Sequence, residues 1–188
     1  MANKKFRNKY RIDSIRLKNY DYSKNGAYFI TIVCKNRNHF FGEIIKTQNT
    51  ISMSLSKIGS IVQFYWNEIP NQFPYIELDE MVVMPNHIHG VLWIDHDFMV
   101  DRDAINRVSI STGGATGNHN PMLHDNLSRV VRWYKGRCTF EINKFHRESL
   151  FAWQSKYHDR IIRNKKELNR IQNYIRKNPE KWFCDINN

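Results

Sequence analysis

The run AYFITIVC at 27–34 is aromatic or β-branched on both of its faces, so the strand it forms must be covered on both sides. A strand of that kind sits in the centre of a sheet, directly after the turn signal Asn25-Gly26. A short hairpin is expected next, over 41–45 and 50–53. Leu55, Ile58, Val62, Tyr65, Trp66 and Ile69 then recur at helical spacing, which predicts an amphipathic helix over 55–67 closed by Pro70 and Pro74. Two strand-like runs at 76–84 and 87–95 flank Pro85-Asn86, a dipeptide suited to a tight connection.

Residues 96–125 are poor in apolar side chains and contain STGGATGNHN, which reads as a long mobile loop. The glycines at 113–117 lack the GK[ST] ending of a phosphate loop. A second amphipathic helix follows, with Leu127, Val130, Val131, Tyr134, Cys138, Ile142 and Phe145 inward and Arg129, Arg132, Lys135, Lys144 and Arg147 outward. A last strand is expected within 153–162. Asn164, three residues before Glu167, is a capping-box-like start for a final helix that Pro179 ends. The order β, α, β, β, α, β and a further helix is a ferredoxin-like α+β arrangement, an antiparallel sheet backed by the first two long helices.

A chain of 188 residues with 41% hydrophobic content fits one folded domain, at 25–188, preceded by a basic arm at 1–24 that carries Lys4, Lys5, Arg7 and Arg11. The 29 Lys and Arg against 18 Asp and Glu give a formal charge of +11, which favours a polyanionic partner. No apolar run is long enough to span a bilayer and the first residues lack a secretion signal, so a cytoplasmic protein without a membrane partner is expected. Cys34, Cys138 and Cys184 are scattered and form no CxxC pair; buried thiols are expected.

The chemistry concentrates in two stretches. In VVMPNHIHGVLWI, at 82–94, strand alternation puts His87 and His89 on one face, where two imidazoles can share a divalent ion, while Ile88, Leu92 and Ile94 anchor the other. In RIQNYIRKNPEKW, at 170–182, Leu168, Ile171 and Ile175 make an inward stripe with Tyr174 at its edge. The i, i+4 spacing places Tyr174 and Asn178 on one helix face. No single piece of this is specific; the joint pattern is.

That joint pattern resembles the single-tyrosine HUH transposases, most closely the REP-associated tyrosine transposases. The similarity runs from SIRLKNYDYSKNGAYFITIV through ELDEMVVMPNHIHGVLWI to AWQSKYHDRIIRNKKELNRIQNYIRKNPEKW. The resemblance implies a metal-dependent endonuclease and strand transferase acting on single-stranded DNA beside a hairpin, through a 5′-phosphotyrosine. On the matching positions it implies Tyr174 as nucleophile and His87, His89 and Asn178 as metal ligands. Asn at 178, where relatives in simple insertion sequences tend to carry Gln, looks like the REP-associated branch. Two imidazoles and an amide oxygen suit Mg²⁺ or Mn²⁺ better than zinc. Arg170 and Lys177 would stabilise the tyrosine anion and, with Arg129, Arg132, Lys135 and the arm, bind DNA. A monomer is the expected state. Two other readings stay open: a non-catalytic ferredoxin-like nucleic-acid-binding module, and a metal-dependent phosphohydrolase that uses water as nucleophile.

Overall fold

The computed structural model describes residues 5–6, 9–10, 17, 20–97, 125–145 and 151–184. In chain order its elements are β1 (Lys5–Phe6), β2 (Lys9–Tyr10), β3 (Gly26–Val33), β4 (Gly42–Lys46), β5 (Ile51–Leu55), α1 (Lys57–Asn67), the single turn α2 (Ile69–Gln72), β6 (Ile76–Met84), β7 (His87–Ile94), α3 (Leu127–Phe145), β8 (His158–Ile162), α4 (Lys165–Arg176) and the short α5 (Asn178–Lys181). The pairs β1–β2 and β4–β5 are separate hairpins. The main sheet has the order β6-β7-β3-β8, and every neighbouring pair is antiparallel. The apolar run therefore lies in the interior of the sheet, as its two-faced composition requires.

Both faces of β3 are committed. Tyr28, Ile30 and Ile32 point to the larger core, which they share with Ile88, Leu92 and Ile94 of β7, Val62 and Trp66 of α1, and Val130, Tyr134 and Ile142 of α3. Ala27 points the other way, to a smaller core with Val91, Ile162, Ile171 and Ile175, rimmed by Phe29, Val82, Trp93 and Leu168. Helix α4 thus covers the sheet face opposite α1 and α3, giving three layers. Ile171 and Ile175 are 5% and 1% exposed; burying each contributes about 1.5–3 kcal/mol, which holds α4 down.

Helix α1 starts where Ser56 Oγ accepts from the Gly59 N–H at 3.0 Å and donates to the Phe40 carbonyl at 2.7 Å, tying the helix entry to the preceding loop. Tyr134 of α3, buried completely, donates its hydroxyl to the Val62 carbonyl of α1 at 3.0 Å. That bond satisfies a phenol which burial holds in its neutral form.

Several expectations need correction. Leu55 closes β5 rather than opening α1, and Pro70 does not stop the chain from turning but sits in the first turn of α2, where its missing N–H is harmless. The last strand is short: β8 begins at His158, and Trp153 contributes an isolated bridge to Cys34. Phe145 is 66% exposed because it lies in the last turn of α3, beyond the reach of the core, and Cys184 is exposed after α5. The final helix ends at Arg176, ahead of Pro179. Residues 98–124 of the expected loop and most of the 1–24 arm, including Lys4, Arg7 and Arg11, lie outside the described residues, as does Arg147. No helix among the described residues is long and apolar enough to cross a membrane.

Gly90 of β7 lets the Trp66 indole approach the strand closely; a Cβ there would meet Trp66 Cζ2 at 2.3 Å and Cη2 at 2.5 Å. With Trp66 itself only 1% exposed, the ring has nowhere to retreat. Gly90→Ala is expected to destabilise the domain by about 1–3 kcal/mol through overpacking, read as a lower midpoint of urea unfolding. Pairing it with Trp66→Leu should restore part of that loss.

Candidate active site

Strand alternation sends His87 and His89 to the α4 side of β7, opposite Ile88. Their Nε2 atoms stand 3.1 Å apart. His87 Nδ1 lies 2.6 Å from Asn86 Oδ1; a carbonyl oxygen can only accept, so Nδ1 carries the proton and donates. His89 faces Thr31 across the β3–β7 register, with Nδ1 2.8 Å from Thr31 Oγ1. Phe29, two residues earlier on β3, stacks on the His89 ring at 5.3 Å and 28°. Burial, and next the adjoining His87, push the His89 pKa down to about 3, so this imidazole is neutral near pH 7. The Thr31 hydroxyl, which can donate or accept, orients the His89 ring so that its Nε2 faces His87 Nε2.

Tyr174 comes to this pair from α4. Asn164 caps the helix by accepting from the Glu167 N–H at 2.9 Å, and the stripe of Leu168, Ile171 and Ile175 docks it on the sheet. The rotation about its axis is set by carboxylates from β6. A bulge between Leu78 and Met81 places Asp79 and Glu80 together against one position of β7. Asp79 takes Gln172 Nε2 on both oxygens, at 2.8 and 3.0 Å, and also faces Trp93 Nε1 at 3.3 Å. Glu80 pairs with Arg176 at 2.8 Å. Gln172 and Arg176 bracket Tyr174, whose hydroxyl lies 3.3 Å from His89 Nε2 while the residue remains 39% exposed.

Asn178 does not continue the helix of Tyr174. Pro179 has no N–H for the next helical bond, so α4 stops at Arg176 and Asn178 opens α5. The two residues still line one cavity, with Lys181, Trp182 and Cys184, and Asn178 is 8% exposed. Trp182 stacks over His87 at 6.1 Å and meets His39 edge-on at 5.4 Å. Arg170 and Lys177 line a second cavity that includes Tyr174.

The basic face of α3 is less uniform than its spacing implies. Lys135 is half buried and donates to the carbonyls of Gln154 and Ser155 at 2.7 and 3.3 Å, and burial pulls its ammonium below the usual lysine range. It fastens the 151–157 segment and does not face solvent as expected, because the chain returning to β8 crosses it. Arg129 pairs with Asp125 and lies over the Phe73 ring at 5.7 Å. Arg132 is exposed. The side chain of Lys5 lies outside the described residues. Thr31, Asn86, Phe29, Asp79, Gln172 and Trp182 were not anticipated; only Asn86, adjoining His87, carried a signal in the linear sequence.

No protein-family model matches the chain. A protein of Haemophilus influenzae strain Rd, itself described only as uncharacterized, is 36% identical over 172 residues, spanning 92% of this chain and 90% of its own. The chain belongs to the family of that protein. Among solved structures, a REP-associated tyrosine transposase bound to a REP hairpin aligns with a TM-score of 0.56 and 19% identity, covering 91% of this chain and 74% of that one. The structural similarity to a REP-associated tyrosine transposase is therefore one of fold.

The clamp on α4 has a direct test. Asp79→Ala removes the acceptor for Gln172 and Trp93, and hydrogen bonds to a charged group contribute about 1.5–3 kcal/mol each. Amide hydrogen exchange across 165–176 is expected to accelerate, while β3 and β7 keep their protection.

Proposed function

We propose that the protein is a metal-dependent endonuclease and strand transferase for single-stranded DNA, a transposase that works beside DNA hairpins through a 5′-phosphotyrosine. The observation that carries this reading is the approach of the Tyr174 hydroxyl, 3.3 Å, to one member of a histidine pair whose Nε2 atoms are 3.1 Å apart. The sheet supports it: in chain order its strands lie second, third, first, fourth, which is the order of a ferredoxin-like βαββαβ sheet, with α4 added on the open face. The solved protein of like fold binds a REP hairpin, and the charge of +11 suits the same class of partner here.

The donor set fits a divalent ion. His87, whose proton is held at Nδ1 by Asn86, offers an Nε2 lone pair, His89 Nε2 stands 3.1 Å from it, and Asn178 shares a cavity with Tyr174. His87, His89 and Asn178 would hold Mg²⁺ or Mn²⁺. When bound, such an ion polarises a phosphoryl oxygen and offsets the charge that builds in an in-line displacement. Among the described residues no cluster of three His, Cys, Asp or Glu side chains offers another metal site.

Tyr174 supplies the nucleophile. Its oxygen forms a bond to the scissile phosphorus as the bond to the 3′-oxygen breaks; the phenolic proton is balanced by the one gained at the new 3′-hydroxyl. The phosphotyrosine keeps the phosphodiester's energy, so a second 3′-hydroxyl reverses the step and joins a different strand. Asn86 and Thr31 fix the ring orientations, and Phe29 and Trp182 flank the imidazoles. Lys181 lies with its Nζ 5.9 Å from the Tyr174 ring centroid, and Arg170 and Lys177 line the cavity beside it, where they would attract the phosphate that Tyr174 attacks. The reading as a non-catalytic module that stacks bases on an open sheet loses support, because helices cover both sheet faces.

Tyr174→Phe is expected to abolish the denaturation-resistant protein–DNA adduct formed with Mn²⁺ and hairpin-flanked single strands, and to leave hairpin binding within a few-fold. A surviving adduct would assign the nucleophile elsewhere. His87→Ala and His89→Ala should each remove Mn²⁺-dependent cleavage while the thermal unfolding transition persists, with Asn178→Ala less severe. A chelator added to the native protein should stop cleavage, and calorimetric titration with Mn²⁺ should show weakened binding in all three variants.

A further inference from the structure

Two cavities meet at Tyr174 and Lys181, and they differ in chemistry. The one shared with Asn178 and Trp182 presents neutral groups beyond Lys181. The other, of about 380 Å³, has Phe29 and Ile171 as apolar walls and Arg160, Arg170, Lys177 and Lys181 around it. That volume lies in the usual range of pockets for small organic ligands, about 300–1,000 Å³. We propose that this cationic cavity is the seat of a backbone phosphate and its nucleotide on the single-stranded segment flanking the scissile bond, with Arg160 and Lys181 as its added contacts.

The geometry explains why the cations gather there. Arg160 stands opposite Phe29 in the β3–β8 register, so it projects from the sheet beside the tyrosine. Arg170 precedes Tyr174 by one helical turn, about 5.4 Å along α4; Lys177 follows at the α4–α5 junction and Lys181 closes α5. Glu167 holds Arg160 at 2.7 Å and stands 4.0 Å from Arg170, so one carboxylate offsets one of four positive charges and fixes the Arg160 fork beside the cavity. Apolar walls next to surplus cations suit a sugar and base beside a phosphate, the combination that single strands present and a stacked duplex hides. The identity of the strand as substrate rests on the strand-transfer reading; the binding site itself does not.

The test compares an oligothymidylate with a blunt-ended hairpin duplex of equal phosphate number, using full-length protein with a chelator present so that no DNA is cut. Fluorescence anisotropy is measured across a salt series for the native protein, Lys181→Gln and Arg160→Gln/Lys181→Gln. Both variants are expected to bind the oligothymidylate several-fold more weakly, with the slope of log affinity against log salt reduced by about 0.7 per lost phosphate contact, and to bind the duplex as before. The single variant spares the Arg160–Glu167 pair and so separates lost contacts from a loosened start of α4. Equal losses on both DNAs would overturn the subsite by making the cations a general duplex surface, and unchanged affinity for both would overturn it outright. A native protein that binds the oligothymidylate through these residues but forms no Mn²⁺-dependent adduct would overturn strand transfer and uphold the subsite.

Discussion

The register between β3 and β7 is the constraint on which the rest of the molecule depends. It sets Thr31 against His89 and Ile32 against Ile88, and because side chains alternate with a period of two, one slip would send every one of them to the wrong face. In the observed register Tyr28, Ile30 and Ile32 join Ile88, Leu92 and Ile94 in the larger core, while His87 and His89 share the opposite face. The larger core therefore pins the site from behind and the smaller core flanks it on its own face. A slip that moved the histidines would have to bury two imidazoles among isoleucines and expose the isoleucines to α4, so the hydrophobic pattern protects the chemical one.

The tyrosine is held by a different kind of interaction. Helix α4 reaches the sheet through a narrow stripe, and the smaller core beneath it contains few residues. Apolar packing of that kind resists lifting better than it resists rolling, because it has no direction. The bulge in β6 supplies direction, since Asp79 and Glu80 grip Gln172 and Arg176 on either side of Tyr174. An irregularity in an outer strand of the sheet, far from Tyr174 in sequence, thus fixes the orientation of the group that meets the histidines.

Much of this was legible in the sequence, and what was not has identifiable causes. The strands at 76–84 and 87–94, the two-faced central strand and the extent of α3 follow from periodicity, since burial on a fixed face leaves a repeating trace. His87, His89 and Tyr174 were legible for the same reason, each placed by its offset from an apolar stripe. Lys135 was misread because periodicity tells which side of a helix faces its partner helix and sheet, not that another segment will cross the outer side. The end of α4 was misplaced by three residues because a proline breaks the ladder through the donor it lacks, and the turn before it already fails. The Asp79 clamp depends on a bulge, and a bulge leaves no mark in a period-two pattern beyond two acidic residues in an apolar run.

The groups around Tyr174 divide into neutral donors on one side and cations on the other, and the division has a chemical consequence. Burial holds His89 neutral, and the Asn178 amide carries no charge. If they hold a divalent ion, its charge is not offset by its protein ligands and acts on a phosphate, whereas a carboxylate ligand would cancel part of it and repel the incoming anion. Burial that keeps His89 neutral serves the same end, because a protonated ring would have no lone pair to offer. The cations stand across the tyrosine instead, where Arg160, Arg170 and Lys177 would attract a phosphate strand at longer range and leave the donor atoms free of competition. Tyr174 and Lys181 occupy the boundary between these two environments, which is where a nucleophile must stand if the phosphate is to face the ion while the strand that carries it lies against the cations.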